Sequence, residues 1–269
     1  MSPDVEKTWQ QFVTEYQAPS EAAWINNFAI RCFRDTGDGD YIAARLALRA
    51  GLASQTIWSG LQSVEKYLKC MLLLGRVDSR KVGHNIAEGF RLVNDRLDYD
   101  IALPEHEQAV FNHLAESSGD RYLVSSLHLF DYELTALDAL VWRLRQYCDV
   151  LDVEHYNDTP SQEVLSKNHH KIKYRRGGEP VSGHLANGFL ERVLADQNHR
   201  AHEGLVWRNA MFGGQQPFSV SSDNFNFVAT NSPLYLNPQI ARAVSKLVHL
   251  PKGALEAFEE LAKQRGSSS

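Results

Sequence analysis

The chain has 269 residues, 43% of them hydrophobic, and 28 basic side chains against 33 acidic ones give a net charge of −5. This composition excludes a wholly disordered chain, and the acidic balance means that nucleic-acid binding has to rest on a local basic patch rather than on global charge. Cys32, Cys70 and Cys148 stand far apart with no CxxC pair, which argues against a disulfide framework or a structural zinc site and for a reducing cytoplasm. No basic segment followed by an apolar one opens the chain, and no run approaches the ~18 apolar residues of a membrane span. The expectation is a cytoplasmic protein with no membrane partner.

Trp9, Phe12, Val13 and Tyr16, then Trp24, Ile25, Phe28, Ala29 and Cys32, recur at steps of three and four and predict two short amphipathic helices split at Pro19-Ser20. They form an N-terminal collar over 1–35. "DTGDGD" reads as turn chemistry, with Asp40 as N-cap of a helix that ends near Gly51. Ile57, Leu61, Val64, Leu68, Met71 and Leu72 mark a second core helix closing at Gly75. Asn85 with Glu88 three residues on predicts the start of a third helix carrying Ile86, Phe90, Val93 and Leu97. Leu123, Leu127, Phe130, Leu134, Leu137, Val141, Leu144, Cys148 and Leu151 alternate steps of four and three, which predicts one helix of about 30 residues from Asp120 to Leu151. It reads as the spine of an intramolecular bundle or as a dimer seam.

Beyond residue 151 the composition changes to the basic "SKNHHKIKYRRGG" and the Ser/Asn-rich "QQPFSVSSDNFNFVATNSP". "HLANGFLERVLAD", "HEGLVWRNAM", "NPQIARAVSKLVHL" and "PKGALEAFEELAKQR" predict further short helices, and Phe225 and Phe227 a short strand. The reading is therefore an all-α chain with a bundle over 36–151 and an irregular, mostly helical extension over 152–269.

"GDYIAARLALRAG", "SVEKYLKCMLLL" and the following "GHN", in that order and at these separations, resemble the HEPN family of helical-bundle domains. The resemblance covers about residues 36–150. It implies an up-and-down bundle, a homodimer, an RNA- or nucleotide-related role, and a bacterial defence or toxin-antitoxin setting with a nucleotidyltransferase as possible partner. The catalytic branch of that family is similar in pairing an Arg with a His on the last long helix for metal-independent RNA cleavage. Arg121 and His128 are the matching pair here, with Tyr132 on the same predicted face. Tyr122 departs from the small polar residue typical of that motif, and Arg192/His199 and Arg242/His249 show the same spacing, so spacing alone is not specific.

Three readings follow. The leading one is a non-catalytic or regulatory module binding RNA or a nucleotide through a groove near Lys66, Lys69, His84, Arg121 and His128. The second is an endoribonuclease in which His128 moves a proton and Arg121 holds the phosphate. The third is a structural oligomerisation protein. Lys66 and Lys69 share their helix with Glu65, and Arg45 and Arg49 on the preceding helix are placed to join one polar strip. Lys171, Lys173, Arg175 and Arg176, with Tyr174 among them, read as a phosphate-contacting loop. No cofactor is implied, and the adjacent His169 and His170 point different ways, so no metal site is expected.

Overall fold

The computed structural model describes residues 21–80, 82–97, 99–117, 124–149, 184–185, 188–213, 227–250 and 253–266. The chain is mostly helical, as its class predicts. Helix α1 (Glu21–Phe28) passes through a π-type segment, Ala29–Arg34, straight into α2 (Asp35–Arg49). The "DTGDGD" stretch is thus helix and not turn. Tertiary contact overrides its local preference: Gly37 lies so close to α3 (Ala53–Leu74) that a Cβ would stand 3.2 Å from the Lys66 Cβ, and Asp38 is fully buried.

At the far end α2 closes as predicted, with Gly51 at φ +73°. Helix α3 buries Ile57, Leu61, Val64, Leu68, Met71 and Leu72, the residues its periodicity selects. It ends at Gly75 as expected, with Leu97 packed directly onto that glycine, and the left-handed residue that follows is Arg76, at φ +59°. Gly83 turns the chain at φ +56°, and the Asn85 Oδ1 accepts the Glu88 N–H at 3.1 Å to cap α4 (Ile86–Leu97). Pro104 then precedes α5 (Glu105–Glu116).

The predicted 30-residue helix is corrected. Leu127–Phe130 is a strand, β1, and only Asp131–Arg145 is helical, as α6. Strand β1 pairs antiparallel with β2 (Phe227–Thr230), Leu127 facing Thr230 and Phe130 facing Phe227. Burial inside β1 has period two, Leu129 in and His128 out, so Leu127 and Phe130 fit the heptad spacing without forming a helix. The Glu133 carboxylate accepts the Phe130 N–H at 2.7 Å and fixes the start of α6 directly after the strand. The expected Phe227 strand is present, whereas Phe225 lies outside the described residues.

Helices α2 to α6 enclose one core around Tyr41, Leu68, Val93, Phe111, Leu137 and Leu144. Leu190 and Val193 of α7 (Phe189–Ala195) and Leu205 of α8 (His202–Val206) belong to that same core. A separate small core gathers Val124, Leu234, Ala241 and Phe258 where α9 (Pro233–Leu236), α10 (Ala241–Ser245) and α11 (Ala254–Gly266) meet. Among the described residues no helix is long and apolar enough to cross a membrane.

Two buried arginines join the chain's distant parts. Arg145 forks onto Asp38 at 2.7 and 2.8 Å and onto Glu191 of α7 at 2.7 and 2.8 Å. Arg45 pairs with Asp138 and donates to the carbonyls of Gly204 and Trp207. Tyr67 donates to Asp38 at 2.7 Å and Tyr41 to Asp138 at 2.6 Å. Burial and the adjacent carboxylates push both phenols well above their ordinary range, so each stays a donor. Burial alone would raise the Glu191 carboxyl, but the Arg145 fork and the Leu185 N–H outweigh it and hold it below its ordinary value.

Arg145→Ala strands the Asp38 charge in the core and should cost about 3–5 kcal/mol in urea unfolding. Asp38→Asn added to that variant should recover part of the loss. Because the folded-state pKa of Glu191 is depressed, its stabilisation is full above its unfolded value and disappears as pH falls through the folded one. Thermal melts should therefore lose stability on acidification through the carboxylate range, and Glu191→Gln should make that fall shallower.

Candidate functional site

The α3 strip is the first candidate. Glu65, 5% exposed, takes the Lys69 Nζ at 2.7 Å on one carboxylate oxygen and the His84 Nδ1 at 2.9 Å on the other. The His84 ring itself is outward, its side chain 56% exposed. Lys66 turns to Asp40 of α2 at 2.5 Å. All three expected ligand-binding side chains, Lys66, Lys69 and His84, are thus engaged by carboxylates, and an anion there has to compete with Glu65 and Asp40. The arginines expected to join this strip point elsewhere, Arg45 to Asp138 and Arg49 to Glu203 at 2.6 Å.

A second constellation lies at the other face, where α5, β1 and α6 meet. The outward His128 ring stacks on His113 of α5, centroids 4.8 Å apart and planes 12° from parallel. His113 is fixed in turn, its Nδ1 lying 2.5 Å from Glu133 Oε1. Glu133 is buried and its second oxygen holds the Phe130 N–H, so this carboxylate orients both the helix start and the imidazole. A carboxylate only accepts, which places a proton on the His113 Nδ1 and makes Nε2 the other edge of the ring. Phe130 stacks on Tyr132 at 5.4 Å and meets Phe227 across the ribbon at 5.9 Å. Tyr132 and Phe227 are exposed, and with His128 they make an aromatic rim.

His128 is therefore at a site, but not by the geometry the sequence suggests. It sits on a strand, so the two-helical-turn argument linking it to Arg121 does not hold, and Arg121 lies outside the described residues. Lys171, Lys173, Arg175 and Arg176 lie outside them as well. His113 and Glu133 escape sequence reading because His113 stands in an ordinary amphipathic helix and Glu133 falls inside the span that the heptad spacing reads as one continuous helix. Glu133 had one legible signal: it is the third residue of α6, where a capping glutamate is favoured. Among the described residues no group of His, Cys, Asp and Glu is arranged to hold a metal ion. No family model, no curated protein and no solved structure matches the chain.

The pairing of Glu65 sets an order of effects. Glu65→Ala leaves Lys69 and His84 without their shared acceptor and should cost about 1–3 kcal/mol. His84→Ala removes only an exposed partner and should cost less than about 1 kcal/mol. Chemical denaturation of the two variants checks the order, and an equal loss contradicts it.

Proposed function

We propose that the chain is a HEPN-type module that binds RNA or a nucleotide on the aromatic rim formed by His128, Phe130, Tyr132 and Phe227. The observation that carries this reading is the run of exposed and stacked rings beside two imidazoles. Bases offer two π-faces whatever their sequence, so such a rim holds single-stranded nucleic acid by stacking. The α3 strip supports the reading less, since its cations already have carboxylate partners. The basic segment 167–176 supplies further phosphate contacts in this proposal, and a second copy or a nucleotidyltransferase is the partner that the family resemblance favours.

Fluorescence anisotropy with a labelled single-stranded RNA tests it. Tyr132→Ala and Phe227→Ala should each weaken binding by about 1–3 kcal/mol, the worth of one base stack. Replacing Lys171, Lys173, Arg175 and Arg176 by Ala should flatten the dependence of affinity on salt, because each lost phosphate contact releases fewer counterions. Undiminished affinity in the Tyr132/Phe227 double variant excludes the rim as the binding face.

A further inference from the structure

We propose that the groove between α1 and the end of α3 is the seat of the chain's own residues 4–18, which fold back over it as an antiparallel helix. No residue of the aromatic rim takes part, so the docking is independent of the binding reading above.

The receiving surface is held in shape by an arginine. Arg76 donates to the carbonyls of Leu73 at 3.0 Å and Ala22 at 3.1 Å, and so pins the start of α1 against the last turn of α3. Beside this clamp lies an open cavity of about 550 Å³ lined by Glu21, Trp24, Ile25, Phe28 and Leu73. Trp24 and Phe28, one turn apart on α1, are 60% and 53% exposed. Two large rings left in water beside an apolar hollow form the receiving half of a helix-in-groove contact, because covering them gains the burial that such side chains ordinarily have.

The occupant follows from connection, pattern, length and charge. Residues 1–20 lie outside the described residues and join α1 directly at Glu21, whose side chain lines the groove. At helical pitch Val5, Trp9, Phe12, Val13 and Tyr16 fall within one arc of about 100°, while Lys7, Gln10, Gln11, Thr14 and Glu15 fall outside it. Pro19 disfavours helix at Ala18, and Ser20 suits the N-cap of α1; a connection this short makes the two helices antiparallel neighbours. As a helix 4–18 spans about 22 Å, close to the roughly 21 Å of the track from Glu21 to Arg34. In that register Tyr16 comes opposite Trp24, Phe12 opposite Phe28 and Trp9 opposite Arg31, since both stripes advance by a step of four and then of three. Arg31 is exposed and has no ion pair among the described residues. Trp9 offers its guanidinium a ring face and Glu6, on the flank of the same arc, a carboxylate.

Hydrogen–deuterium exchange of the full chain, read by mass spectrometry over a wide range of protein concentration, tests the docking. Amides of 4–18 should exchange about 10-fold or more slower than in the same sequence as an isolated peptide, and at a rate that dilution does not change. Trp24→Ser with Phe28→Ser, both at exposed positions, should bring 4–18 to the isolated-peptide rate while α3 and α6 keep their protection. Phe12→Ser should do the same from the other side of the contact. Glu6→Arg should speed exchange of 4–18 roughly 3-fold, and Arg31→Glu added to it should recover part of the protection. Should the Trp24/Phe28 variant melt early, the charge reversal and its rescue still decide. Exchange of 4–18 at the isolated-peptide rate in the wild type overturns the proposal, as does protection that survives Trp24→Ser with Phe28→Ser. Protection that disappears on dilution assigns the groove to a second copy of the chain and overturns it as well.

Discussion

Arg145 is the residue on which the rest of the architecture depends. Its side chain is wholly buried and lies between Asp38, near the start of the bundle, and Glu191, in a helix much later in the chain. Burial by itself would lower its pKa, yet the two carboxylates raise it well above the ordinary value, so the guanidinium is charged in the core. A planar fork with five donors meets two bidentate acceptors there, a match that a lysine cannot make. Because a buried charge without its partner is costly, α2, α6 and α7 are tied to one relative placement. Arg45 repeats the device further along α2, holding Asp138 from α6 and two carbonyls at the end of α8.

That placement reaches the candidate site through α6. The arginine grip fixes the C-terminal end of the helix, and Glu133 fixes its first turn by holding the Phe130 N–H. Strand β1 therefore leaves the bundle in a set direction and pairs with β2, bringing Phe227 from a distant part of the chain against Phe130. The rim is an assembly of three chain regions: α5 contributes His113, the β1–α6 junction contributes His128, Phe130, Tyr132 and Glu133, and β2 contributes Phe227. None of these side chains acquires its neighbours from local sequence alone.

This explains what was legible in the sequence. Helices α3 and α4 could be read because one buried face at steps of three and four needs no knowledge of partners, and the Asn85 cap is written in adjacent residues. The Phe227 strand was visible from residue alternation alone, although all four residues of β2 are exposed. The helical "DTGDGD" was not, because its reason is the burial of Asp38 under Arg145, a contact across more than a hundred residues. Strand β1 was missed because Leu127, Phe130 and Leu134 keep heptad spacing across a strand–helix junction, so the periodicity continues where the backbone changes. Of the named site residues His128 remains in a constellation; Lys69 is claimed by Glu65, which its i, i+4 spacing already indicates, and Lys66 and His84 by carboxylates that only the tertiary fold brings to them.

The contrast between the two constellations is electrostatic at root. On α3 each cation already has an ionised partner within hydrogen-bond distance, so binding an anion there exchanges one charge-assisted bond for another and gains little. Around β1 the Glu133 carboxylate is turned inward and shares its oxygens between a backbone N–H and an imidazole. Its charge orients the ring from behind while the aromatic face stays outward and open to a planar ligand. A surface that combines exposed rings with an internally anchored imidazole has its polar group satisfied on the protein side, and that asymmetry separates the rim from the more highly charged strip.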